Sequence, residues 1–201
     1  MLLQWQGRSC VVIGGGSVAL RRTRTVIEAG GSVYLITGCL TSEWTALIPH
    51  PKITHEKRMV SKRECFLSDA LLLCTNDKNL HDALMKNRAP RQLVYRADNA
   101  SRSDIHFPAI IRKGLLTIAL STSGASPVYT KRLRKKIVNQ LSDTTEEDLL
   151  FLKHARERIL NSRIHSSEKR FLVDALASTE VLTRVDRESW LSKQLDEMGK
   201  I

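Results

Sequence analysis

The chain has 201 residues, 42% hydrophobic and 26% charged, a balance that excludes wholesale disorder, and it holds no apolar stretch near the roughly 18 residues a membrane helix needs. The opening MLLQWQGRSC lacks a basic region followed by an apolar core, so no secretory leader is expected; Cys10, Cys39, Cys65 and Cys74 form no C-x-x-C pair, which favours a reducing, cytoplasmic setting over structural zinc. The net charge of +11 suits a polyanionic partner (nucleic acid, phosphates or a polycarboxylate) and equally a solvated basic face.

In chain order, residues 9–13 (SCVVI) read as a buried strand, followed by a glycine turn and a helix through Ala29 that Gly30-Gly31 stops. Residues 32–36 (SVYLI) read as a second strand, and residues 41–48 as a helix. Residues 70–74 (ALLLC) form another apolar run, residues 76–88 a helix and residues 92–95 a fourth strand. Strands alternating with helices predict βαβ units and a parallel sheet covered on both faces.

After Asp98 the pattern changes. Residues 115–120 (LLTIAL) read as a strand and residues 121–126 (STSGAS) as a small-residue loop, with Ser126-Pro127 as an N-cap and first helical proline. Tyr129, Leu133, Ile137 and Leu141 recur every four residues and predict one apolar helix face among Lys131, Arg132, Arg134, Lys135 and Lys136. Positive charge concentrates here: residues 111–145 carry seven basic groups and one acidic. From Thr144 onward the chain reads as helical, with Thr144 and Glu147 at capping-box spacing and Ser167 and Ser178 as later starts. The expected organisation is an α/β protein: a Rossmann-like domain over residues 1–110, a small α/β segment over 111–145 and a helical domain over 146–201.

Gly14-Gly15-Gly16-Ser17-Val18-Ala19 reads G-x-G-x-x-A between a strand and a helix. Gly14 permits the tight turn, Gly16 lets a pyrophosphate approach the backbone, and the helix N-terminus offers amide donors and a positive dipole. A dinucleotide site is therefore predicted, against the plainer reading of a structural turn. The second strand ends at Ile36-Thr37-Gly38-Cys39 with neither the acid typical of NAD sites nor the arginine typical of NADP sites. Gly38 and Cys39 either touch the adenosine end through their backbone or form a simple turn.

Four stretches together resemble the precorrin-2 dehydrogenase family, the N-terminal module of sirohaem synthases: VVIGGGSVALRR (11–22), LLLCTND (71–77), LVYRADNASRSDIHFPAIIRKG (93–114) and LTIALSTSGASPVYTKRLRKKI (116–137). The resemblance implies NAD-dependent oxidation of precorrin-2, a carboxylate-fringed tetrapyrrole, to sirohydrochlorin. It implies Asp98 as the catalytic carboxylate, acting as general base or orienting the macrocycle, where an ordinary residue would cap the following loop. It places Gly14, Gly16, Ser17, Val18, Gly38 and Cys39 at cofactor-contacting positions. It also implies a homodimer in which segments after residue 111 exchange between subunits; the stripe of Tyr129, Leu133, Ile137 and Leu141 fits such an interface and equally an intramolecular core. Thr122 and Ser123 fall in a loop that either holds substrate carboxylates or closes the turn before Pro127, and Arg112 is a candidate carboxylate contact.

This chain departs from the family at Tyr95 and His81, where asparagine is usual, and at Asn99 and Ser123. Some relatives also insert iron into sirohydrochlorin, but the six histidines show no metal-ligand spacing, so no resident metal is expected; His106 follows Asp98 in the same loop. A bifunctional dehydrogenase–ferrochelatase and a non-catalytic NAD-sensing module are the competing readings. Nucleic-acid binding is not expected, because no recognition motif accompanies the basic segment.

Overall fold

A computed structural model describes residues 4–199, so the first residues of the opening read for a leader, and the final Lys200-Ile201, lie outside the described chain. The chain divides between Phe107 and Pro108 into two compact units.

The first unit is a five-stranded parallel sheet in the order β3-β2-β1-β4-β5, with β1 Ser9–Ile13, β2 Ser32–Ile36, β3 Ile53–Glu56, β4 Ala70–Leu73 and β5 Leu93–Arg96. All four residues of β4 are buried, as a central strand covered on both faces requires. Successive side chains take opposite faces. Val12, Leu35 and Leu72 pack with Ala19, Leu20 and Val26 of helix α1 (Ser17–Glu28) and with Trp44. Val11, Ile13, Leu71 and Leu73 pack with Leu80 and Leu84 of helix α2 (Lys78–Lys86). The expected doubly covered α/β sheet is thus formed, with its strand ends at the glycine turn.

Two local expectations change. Residues 41–48 form only a short 3-10 helix, Ser42–Ala46, seated by the buried Trp44. Strand β3 was not expected: its ITHE carries a single aliphatic residue, which suffices because an edge strand pairs only with β2.

The second unit opens with a hairpin of β6 (Ala109–Lys113) and β7 (Leu116–Leu120), turning at Gly114 with φ +54°. Helix α3 (Pro127–Gln140) begins as the sequence indicates, with the Ser126 side chain accepting from the Tyr129 amide. None of its residues is buried; Leu133 and Ile137 are half-buried and Tyr129 is 59% exposed. Helices α4 (Thr145–Asn161), α5 (Ser166–Leu176), α6 (Thr179–Leu182) and α7 (Arg187–Met198) enclose a separate core of Phe151, Ala155, Ile159, Leu172, Leu176 and Leu191. Thr144 makes no N-cap bond to the backbone, its hydroxyl donating instead to Asp148; the capping box lies one helix later, between His165 and Glu168. Ser178 caps α6 as expected.

Candidate functional site

The glycine turn joins β1 to α1 at the carboxyl end of the sheet. Gly14 has φ +118°, and a Cβ there would lie 2.6 Å from the Cys74 carbonyl oxygen. A Cβ on Gly15 would lie 1.9 Å from the Cys39 carbonyl oxygen. These two glycines therefore exist for backbone packing. Gly16 differs: a Cβ there would meet nothing within 4 Å, and the N-cap of α1 receives no side-chain hydrogen bond. Open space before an uncapped helix N-terminus is what an approaching pyrophosphate requires. Ser17 is exposed and Val18 half-buried at the same helix start.

The loop after β2 braces the turn. Thr41 N and Trp44 Nε1 both donate to the Gly15 carbonyl, at 3.2 and 2.7 Å, and the Thr37 hydroxyl donates to the Cys39 carbonyl at 2.8 Å. Beside it a cavity of about 340 Å³ is lined by Gly38, Cys39, Leu40, His55 and Lys57. Both residues expected at the adenosine end therefore border a recess near the glycine turn. His55 and Lys57 follow from the unexpected β3 and could not be named from spacing.

Asp98 lies just past β5, with its side chain 13% exposed. Oδ2 accepts from Arg96 Nη2 at 2.8 Å, while Oδ1 faces Arg96 Nε at 3.2 Å and His81 Nδ1 at 2.5 Å. The guanidinium first, and His81 after it, hold this carboxyl far below the usual carboxylate range despite its partial burial. Arg96 is buried and reaches Asp82 at 2.5 Å with its other nitrogen; Arg102 closes the network on Asp82 at 2.7 Å. His81, fully buried on α2, presents Nε2 to the Thr75 hydroxyl at 2.9 Å. Asn99, not Asp98, caps the following short helix.

Arg96 and Thr75 were not singled out by the sequence, and His81 only as a departure. The spacing of Arg96 and Asp98 was a usable signal, because alternate residues of an extended segment face the same way. Tyr95 stands on the α1 face of the sheet. Its ring meets Phe107 edge-on at 5.0 Å, and its hydroxyl accepts from Arg22 at 3.1 Å.

In the second unit, Arg112 is an exposed residue of β6. The Thr122 hydroxyl accepts from the Ser126 amide at 3.1 Å and pairs with Thr130 at 3.2 Å, so it organises the turn into α3. Ser123 holds φ +51° in that turn. Among the described residues, no group of three or more His, Cys, Asp or Glu side chains is placed to hold a metal ion, and no helix is long and apolar enough to cross a membrane.

Comparison with known proteins agrees with this anatomy. The family described as "Putative NAD(P)-binding" matches residues 1–109, and "Sirohaem biosynthesis protein central" matches residues 113–140. The precorrin-2 dehydrogenase of Bacillus subtilis (strain 168) is 31% identical over 130 residues, spanning 65% of this chain and 80% of that protein. That of Priestia megaterium is 23% identical over 196 residues, spanning 98% and 97%. The solved structure of SirC, precorrin-2 dehydrogenase, superposes with TM-score 0.83 at 23% identity, covering 98% of each chain. With this sheet order, this glycine turn and these matches, the chain belongs to the precorrin-2 dehydrogenase family of NAD(P)-binding proteins.

Proposed function

We propose that this chain oxidises precorrin-2 to sirohydrochlorin with NAD⁺ as oxidant, a step of sirohaem synthesis. The observation that carries the reading is the pairing of Gly16 before an uncapped α1 with the Asp98–His81–Thr75 cluster at the carboxyl ends of β4 and β5. Ligands of open α/β sheets bind at those strand ends.

Gly16, Ser17 and Val18 hold the pyrophosphate with amide donors from the first turn of α1, and Gly14 shapes the tight turn that presents them. Gly38 and Cys39 face the adenosine end. NAD⁺ bound there supplies the hydride acceptor. Asp98 stays ionised because Arg96 neutralises it, and it fixes the ring of His81. Arg112 engages the substrate's carboxylates from β6 and Ser123 from a loop that Thr122 holds in shape, supported by the excess of basic residues over 111–145. The chain acts as a homodimer that uses the exposed face of α3, and four free thiols suit a reducing cytoplasm.

The deciding experiment is anaerobic incubation with precorrin-2 and NAD⁺, following the absorbance of the extended macrocycle. Stoichiometric NADH and sirohydrochlorin support the reading. NAD⁺ binding without oxidation would replace it with a sensor.

A further inference from the structure

His81 is the fully buried imidazole of the first unit, and both its nitrogens are engaged across two strand ends. Its Nδ1 partner, Asp98, is doubly bonded to Arg96 and stays ionised, so that carboxylate only accepts. Nδ1 must therefore carry a proton. In the neutral ring this leaves Nε2 as an acceptor, and the Thr75 hydroxyl must point its hydrogen at Nε2. The Thr75 oxygen is then free to act as an acceptor; one backbone donor, Asp77 N, approaches it at 3.3 Å. Thr75 is half-buried, and its amide lies 3.2 Å from where a Cβ on Gly14 would sit, so the hydroxyl belongs to the residue flanking the dinucleotide turn.

We propose that Thr75 and His81 form a proton relay, anchored by Asp98, that removes the proton released when a tetrapyrrole gives hydride to the nicotinamide. This rests on the oxidation proposed above. Oxidation takes two electrons and one hydrogen as hydride, which the nicotinamide dinucleotide accepts, and leaves one proton on the substrate. The Thr75 oxygen forms a bond to that proton while its own O–H bond breaks toward His81 Nε2. The hydroxyl is regenerated and the imidazole becomes an imidazolium beside the Asp98 carboxylate. His81 later returns the proton to solvent by the reverse path through Thr75. Thr75 is the group that touches substrate, and His81 positions and receives behind it. Asparagine at position 81 would bond to Asp98 but take up no proton, so this relay is a property of the present sequence.

The test uses the full chain as wild type and in three variants. Thr75→Val is expected to lower kcat about 100-fold, the scale of general acid–base catalysis, with KM for precorrin-2 and NAD⁺ affinity within about twofold. Thr75→Ser, which keeps the hydroxyl, is expected to restore most of kcat. Thr75→Val with wild-type kcat overturns the relay. A second readout needs no turnover: ¹⁵N-histidine NMR, with His81→Asn to assign the signal, is expected to show a neutral ring protonated at Nδ1. A proton on Nε2 at neutral pH overturns the relay by itself. A chain with the expected ring proton that leaves precorrin-2 unoxidised overturns the substrate reading instead.

Discussion

The indole nitrogen of Trp44 donates to the carbonyl of Gly15 at 2.7 Å, so a residue beyond β2 sets the shape of the turn beyond β1. The three glycines of that turn accordingly differ in what they tolerate. Gly15→Ala would drive its Cβ to 1.9 Å from the Cys39 carbonyl oxygen, and should cost about 3 kcal/mol or more by overpacking. Gly16→Ala meets no protein atom, so its melting temperature should match wild type while NAD⁺ affinity falls about tenfold, because the methyl occupies pyrophosphate space. Trp44→Phe should cost about 1 kcal/mol, since Thr41 still donates to the same carbonyl. Calorimetry for stability and isothermal titration for NAD⁺ separate the three; equal affinity in Gly16→Ala and wild type would remove that glycine from the cofactor site.

Asp98 ties stability to acid pH. Its folded pKa is depressed, chiefly by the Arg96 hydrogen bonds, below the unfolded value of about 3.9. A depressed carboxylate adds stability that is fully present above the unfolded pKa and is lost as pH falls toward the folded one. Asp98→Asn should therefore destabilise the chain by about 3 kcal/mol at pH 7, because it leaves the buried Arg96 short of a partner. The gap between wild type and variant should hold from pH 5 to 8, taken as roughly one unit clear of titration, and shrink below about pH 4. Denaturant unfolding at each pH measures it, and a gap that widens in acid contradicts the assignment.

Among the cysteines, Cys39 and Cys65 are exposed, whereas burial pushes the Cys74 thiol up to about 12 and the Cys10 thiol well above its ordinary value. A thiol near 12 is ionised in only about one molecule in 10,000 at pH 8, so Cys74 should resist alkylation despite lying beside the glycine turn. Mass spectrometry after brief iodoacetamide treatment should find two modified cysteines. NAD⁺ should protect Cys39 and leave Cys65 unchanged. Equal labelling of Cys39 with and without NAD⁺ would place the adenosine end elsewhere.

The sequence made the sheet and its glycine turn readable because both rest on local pattern. The runs VVI, VYLI and ALLL have no polar alternation, and G-x-G-x-x-A needs its glycines for reasons visible in any strand–turn–helix unit. Strand β3 escaped because ITHE buries little and is ordered by pairing with β2, a contact of tertiary origin. The wiring of Asp98 escaped for the same reason. Arg96 stands only two residues away in sequence, but Asp82 reaches Arg96 and His81 reaches Asp98 from helix α2, and only the packing of Leu80 and Leu84 against β4 turns that face inward. His81 was visible solely as an odd residue in a family pattern. Its pairing with Thr75 required knowing that the end of β4 and the first turns of α2 fold back on one another.

Helix α3 offers the remaining test, that of the homodimer. It buries no residue of its own, leaves Val128 62% and Tyr129 59% exposed, and contributes nothing to the core of Phe151, Ile159, Leu172 and Leu191. An aromatic and a branched aliphatic side chain standing together in water at a helix start suit a second copy of the same surface. In a two-fold interface each substitution acts twice, so Val128→Glu with Tyr129→Glu places four carboxylates in one patch, and should weaken dimerisation by about 100-fold or more. Because neither residue belongs to a buried core, the thermal unfolding of the dissociated variant should remain cooperative. Sedimentation equilibrium over a micromolar concentration range reads the outcome: a wild-type dimer and a variant monomer support the α3 interface. A wild-type monomer would mean that these side chains are covered by something other than this chain.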